Sequence, residues 1–132
     1  MISIPEDKKY SRDHIWIEME DEFIGRCGLT EQCQEKLDRI LFVEFPEVNM
    51  EVRLGEKVAL VESNKAFFNL ISPVSGRIVE INNDILTDPA SINMDPLHKG
   101  WIYKIEVKVP IEFHELMTAN EYDDYLETAG DI

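Results

Sequence analysis

The sequence predicts a mainly β fold. Three observations carry that expectation. Apolar and polar residues alternate with a period of two in several separate segments, polar or glycine-bearing turns divide those segments, and helical spacing is confined to one short stretch and the end of the chain. With 132 residues and 44% hydrophobic content the chain can bury one core. Residues 1–132 are therefore read as one domain, with a core over about 9–109 and a helical segment over 110–128.

Taken in order, residues 14–20 (HIWIEME) alternate, with Ile15, Ile17 and Met19 on one side, and Asp21-Glu22 reads as a turn. Residues 23–29 return as a second strand in which Gly25 and Gly28 permit a bend or a close approach. Thr30 is placed to cap a short helix over 31–37, whose Cys33 and Leu37 fall four apart on one face. Residues 41–45 form a further strand stopped by Pro46. Two apolar runs, 57–63 and 67–71, flank a short polar connection, a hairpin with Lys65 at or near its tip. Residues 76–82 and 101–109 complete the alternating set, and the polar, proline-punctuated stretch 83–100 between them reads as a long loop. Pro110 opens a short helical turn through Met117, and Thr118-Ala-Asn-Glu121 matches a capping box. Tyr122, Tyr125 and Leu126 then give a final helix one apolar face, which is expected to pack on the strands as a lid.

Charge and missing motifs narrow the function. Thirteen Lys and Arg against 27 Asp and Glu give a formal net charge of −14, which repels phosphate backbones and anionic lipid surfaces. No apolar run approaches a membrane span and the first ten residues are too polar for a secretory signal, so a cytoplasmic location is expected. Cys27 and Cys33 read as small buried hydrophobes, because their six-residue separation is neither a redox pair nor a zinc motif. His14, His98 and His114 are scattered without metal-ligand spacing. No nucleophile elbow, Walker loop or dinucleotide fingerprint is present. These absences argue against a catalytic centre of the chain's own.

The feature left over is the hairpin VESNKAFFN (61–69). Gly55 precedes Lys65 by ten residues and Gly76 follows it by eleven, so the lysine is nearly centred between two turn-forming glycines. Around it stand Lys9-Tyr10 followed by His14 and Trp16, CGLT (27–30) with Gln34-Glu35, FVEFPE (42–47), VESNKA (61–66) and SPVSGRIVE (72–80). The spaced set Asn82, Pro89, Asn93, Pro96 and Gly100-Trp101 completes the pattern. Together these resemble the H protein of the glycine cleavage system, over nearly the whole chain. A biotin carrier would carry Met on both sides of the lysine, where this chain has Asn64 and Ala66. The resemblance implies a barrel-sandwich hybrid, the biotinyl/lipoyl-attachment fold, of two small antiparallel sheets, with a short helix after the second strand and C-terminal helices. It implies Lys65 amidated by lipoic acid, with Glu62, Ser63, Asn64 and Ala66 as the hairpin residues that a lipoate-protein ligase or lipoyl-assembly enzymes recognise. It further implies an arm cleft built from Asp13, His14, Ile15, Phe67, Phe68 and Asn69, and no catalytic residues of the chain's own.

Departures from the family pattern bear on cargo. The family usually reads His-Glu-Trp where this chain has His14-Ile15-Trp16, and has an Asp four residues after the lysine where this chain has Asn69. Phe67 and Phe68 replace small or polar residues, and one of the two is expected to face outward because neighbouring strand residues alternate. Asp38-Arg39 stands in place of Gly-Asp, and Asn64 in place of Val. An acid-poor, apolar cleft resembles that of the H-like lipoate-binding proteins of cytoplasmic sulfur oxidation. On that expectation the arm carries sulfur intermediates to a heterodisulfide-reductase-like complex and is reoxidised by lipoamide dehydrogenase. The alternatives are an aminomethyl carrier serving glycine decarboxylase and aminomethyltransferase, and a non-lipoylated interaction module of the same fold.

Overall fold

The alternating segments pair as antiparallel ladders in the computed structural model, which describes residues 2–129. In chain order the strands are β1 (Lys9–Tyr10), β2 (Ile15–Met19), β3 (Ile24–Leu29), β4 (Ile40–Glu44), β5 (Glu51–Val52), β6 (Lys57–Ser63), β7 (Phe67–Ile71), β8 (Gly76–Ile81) and β9 (Tyr103–Val107). The helices are α1 (Glu31–Leu37), α2 (Asp84–Thr87), α3 (Ala90–Met94), α4 (Pro110–His114) and α5 (Ala119–Ala129). Among the described residues these make a six-stranded sheet in the order β1-β2-β3-β9-β8-β5 and a three-stranded sheet in the order β4-β6-β7. This is the mainly β, two-sheet architecture of the biotinyl/lipoyl-attachment fold.

The two faces of β2 show why the alternation matters. Ile15 and Ile17 point into the main core, where they meet Cys27, Val61, Leu70, Ile78 and Ile105. Trp16, between them, points the other way into a second cluster with Tyr10, Leu97 and Tyr122. Its indole lies flat against Gly28, where an added Cβ would sit 2.7 Å from the ring, and its Nε1 donates to the Pro96 carbonyl at 3.0 Å. Burying rings of this size is among the larger apolar contributions a small core receives. The final helix seals this second cluster. Tyr122 stacks on Tyr10 with ring centroids 4.9 Å apart, and the capping box closes reciprocally, Thr118 N–H to Glu121 Oε1 at 2.9 Å and Glu121 N–H to Thr118 Oγ1 at 3.2 Å.

Two expectations need correction. Residues 83–100 are not a structureless loop: they contain α2 and α3, whose Ile85 and Ile92 are fully buried. Asn82 closes the segment, donating from Nδ2 to the carbonyls of Lys99 (2.9 Å) and Trp101 (2.7 Å). Four- and five-residue helices leave too few apolar repeats for a period of 3.6 to be seen in sequence. The strands β1 and β5, two residues each, escaped for the same reason.

Gly76 opens β8 where the backbone of β9 passes close by. A Cβ there would lie 2.0 Å from the Glu106 carbonyl oxygen on β9, a backbone atom that cannot move aside without breaking the ladder. Gly76→Ala is therefore expected to cost about 3 kcal/mol or more of stability, read as a lowered urea midpoint with the slope unchanged.

Candidate functional site

β6 and β7 pair in register, Leu60 with Asn69, Val61 with Phe68 and Glu62 with Phe67, which leaves Asn64 and Lys65 at the hairpin tip. The turn is organised from within by Ser63. Its Oγ accepts the N–H of Lys65 and of Ala66, both at 3.1 Å, and donates to the Ala66 carbonyl at 3.2 Å, while Ser63 N–H donates to that same carbonyl at 2.9 Å. One small, buried hydroxyl thus satisfies the backbone that the turn would otherwise leave open. Lys65 is exposed, and its ammonium makes no ion pair or hydrogen bond among the described residues.

The four hairpin residues expected to be read by a modifying enzyme have different surroundings. Ala66 is exposed and Glu62 half-buried, lying across from Phe42 on one side and Phe67 on the other. Ser63 is buried inside the turn. Asn64 is exposed, but its side chain is engaged with the corner between α1 and β4.

The expected arm cleft is not one surface. Phe67 is 68% exposed, Asn69 is exposed beside it, and Phe68 turns inward to pack against the core, as strand alternation requires. Ile15 is fully buried in the main core and His14 is buried beneath α5. Asp13 is exposed and lines a groove of about 220 Å³ with Tyr10, Leu54, Gly55, Ser72 and Met117, next to Glu115. Gly55 and Ser72 bracket the open end of the β6–β7 hairpin, the end away from Lys65. Sequence reasoning missed this groove because it assembles from four separate segments.

His14 has a structural partner that the sequence could not show. Its backbone adopts φ 67°, and its Nδ1 lies 2.8 Å from the Tyr122 hydroxyl, which is also 2.8 Å from Thr30 Oγ1. Thr30 caps α1 by accepting from Cys33 N–H at 3.2 Å, so one hydroxyl of α5 ties β2 to the start of α1. Burial holds the His14 imidazole below its ordinary pKa, with the Asp13 carboxylate pulling the other way. Both cysteines are free and buried, and burial pushes the Cys27 thiol up to about 12.

Two antiparallel sheets with an exposed hairpin tip place the chain in the class of biotinyl/lipoyl-attachment modules. The sequence profile of the glycine cleavage H-protein matches residues 8–129. The chain belongs to the glycine cleavage H-protein family. It is 40% identical over 131 residues to the glycine cleavage system H protein of Carboxydothermus hydrogenoformans, covering 99% of this chain and all of that protein. It is 41% identical over 125 residues to the H protein of Symbiobacterium thermophilum, covering 95% and 97%. The crystal structure of a glycine cleavage system H protein from Mycobacterium marinum superposes with a TM-score of 0.86 at 38% identity, over 94% of this chain and 99% of that one. Family members are lipoyl carriers, substrates of other enzymes rather than catalysts, and covalently bound lipoic acid is their cofactor.

These matches overturn the sulfur-oxidation expectation and, with it, the heterodisulfide-reductase-like partner. The relatives are glycine cleavage H proteins along their whole length. The structure also removes the apolar part of the reason for that expectation. Ile15 and Phe68 are core packing, so the apolar character inferred for the cleft reduces to Phe67 alone.

Two outcomes follow from the buried groups. An imidazole whose pKa is lower in the folded chain contributes stability that is complete above the unfolded value of 6.5 and is lost as pH falls through the folded value. The melting temperature of the native chain is expected to fall more steeply on acidification from 6.5 down to the folded value than that of His14→Gln. Neither thiol should react with iodoacetamide at pH 8 until the chain is unfolded, because the thiolate is the reactive form and burial suppresses it; mass spectrometry before and after denaturant checks this.

Proposed function

We propose that this chain carries lipoic acid in amide linkage on Lys65 and shuttles an aminomethyl group among the enzymes of glycine cleavage. The observation that supports it is the exposed amine of Lys65, unpaired on a turn that Ser63 has already organised. A long acyl group fits here: among the described residues nothing competes for the nitrogen, and acylation removes the lysine charge that would oppose laying an arm along Phe67. When attached, the group supplies a cyclic disulfide whose sulfurs accept and release the one-carbon amine.

The chain's own residues then present, orient and protect. Ser63 fixes the backbone from which the arm leaves. Phe67 offers apolar surface at the base of that arm. The partners on this reading are glycine decarboxylase, aminomethyltransferase, lipoamide dehydrogenase, and a lipoate-protein ligase or lipoyl-assembly enzymes. We place its work in the cytoplasm, which suits two free buried thiols. Among the described residues no helix is long and apolar enough to cross a membrane.

Lys65→Arg is expected to show no lipoyl increment by intact mass and to support no glycine decarboxylation with the other components, while melting as the native chain does.

A further inference from the structure

Asn64 immediately precedes Lys65, and although it is exposed its side chain is committed to the fold. Its Oδ1 accepts from Arg39 N–H at 3.0 Å, its Nδ2 donates to the Asp38 carboxylate at 3.0 Å, and its own N–H donates to the Arg39 carbonyl at 2.9 Å. Asn93, on α3, grips the same corner from the other side. Its Oδ1 accepts from Ile40 N–H at 2.9 Å and its Nδ2 donates to the Asp38 carbonyl. The hairpin tip is therefore not a free turn projecting past its sheet. It is tied through Asp38 and Arg39 to the end of α1, and through Asn93 to α3.

The corner itself is strained. Asp38 sits at φ 66°, ψ −129°, a conformation that suits glycine and that an L side chain adopts only when its surroundings hold it there. Two asparagine side chains supply that hold. The sequence places a non-glycine residue at this strained corner and an amide donor beside the lysine, and the structure joins the two by one hydrogen bond.

We propose that the Asn64–Asp38 clip is a positioning device for Lys65, which fixes the turn in the form an acylating enzyme takes up and so determines how well this chain serves as the acceptor. The proposal rests on Lys65 being the attachment site. An enzyme that binds a preformed turn is spared the entropy of ordering it, and that saving shows in KM rather than in the chemical step. Asn64 and Asp38 touch neither acyl donor nor reacting nitrogen; they act through the backbone of Lys65.

The test is a swap in the full-length unmodified chain, with kcat and KM for lipoyl attachment measured with a lipoate-protein ligase, lipoate and ATP. Asn64→Asp keeps the acceptor for Arg39 N–H but sets one carboxylate against another, breaking the clip. In the double variant Asp38→Asn with Asn64→Asp, the amide introduced at position 38 can donate back to the carboxylate introduced at position 64, and net charge at the corner returns to that of the native chain. Asn64→Asp should raise KM about tenfold with kcat within about twofold, and the double variant should bring KM back to within about threefold of native, as preorganisation predicts. Exchange of the Arg39 amide, followed by NMR, should quicken in the single variant and slow again in the double. Asn64→Ala should raise KM like Asn64→Asp and should stay raised when combined with Asp38→Asn.

The proposal is overturned if Asn64→Asp lowers the melting temperature yet leaves KM unmoved, or if the double variant regains Arg39 protection while KM stays high. Should the native chain take up no more lipoyl than Lys65→Arg, the attachment reading fails and the proposal falls with it. Uptake by the native chain with equal KM in every variant sinks the clip alone.

Discussion

The pairing of β6 with β7 is the interaction on which the site depends. Its register places Val61 and Leu70 in the core and leaves Asn64 and Lys65 as the residues that must cross from one strand to the other. A slip of one residue would carry Val61 to the outer face and Glu62 inward, at the cost of burying a carboxylate. The core thus chooses the register, and the register chooses which side chain stands at the tip. The amine owes its exposure to residues several positions away that never touch it.

Most of the larger elements were legible from residue pattern. Alternation in β2, β3, β6, β7, β8 and β9 marks half-buried strands because one face of each meets the core. Thr30 before α1 and Thr118 with Glu121 before α5 are local chemistry, so each could be read from a few neighbouring letters. What stayed hidden was brought together from afar. The groove at the open end of the hairpin draws on segments near residues 10, 55, 72 and 116, and the His14–Tyr122–Thr30 contacts span 108 and 92 positions. Short elements such as α2, α3 and β5 were hidden for a different reason, having too few residues to express a period.

The hairpin tip was legible and the surroundings expected of it were misread. Lys65 stood out because a tight connection between two apolar runs puts its middle at a tip. Reading cargo from Ile15 failed because a change from polar to apolar in a strand has two explanations, an altered surface or a filled core, and sequence does not say which face the residue occupies. Here the side chain is fully buried beside Ile17 and Leu29. The same ambiguity split Phe67 from Phe68, neighbours in sequence with opposite surroundings.

The closure of the aromatic cluster by α5 sets an order of events during synthesis. Tyr10 and Trp16 emerge from the ribosome before the other strands, yet Tyr122, the ring that completes their burial, follows Trp16 by 106 residues. The hairpin and its neighbouring strands are all translated before that helix, so a nascent or truncated chain can display its lysine while two large rings remain uncovered. Burial of those rings waits on α5, and a chain lacking that helix would show the Lys65 amine from a body still prone to stick.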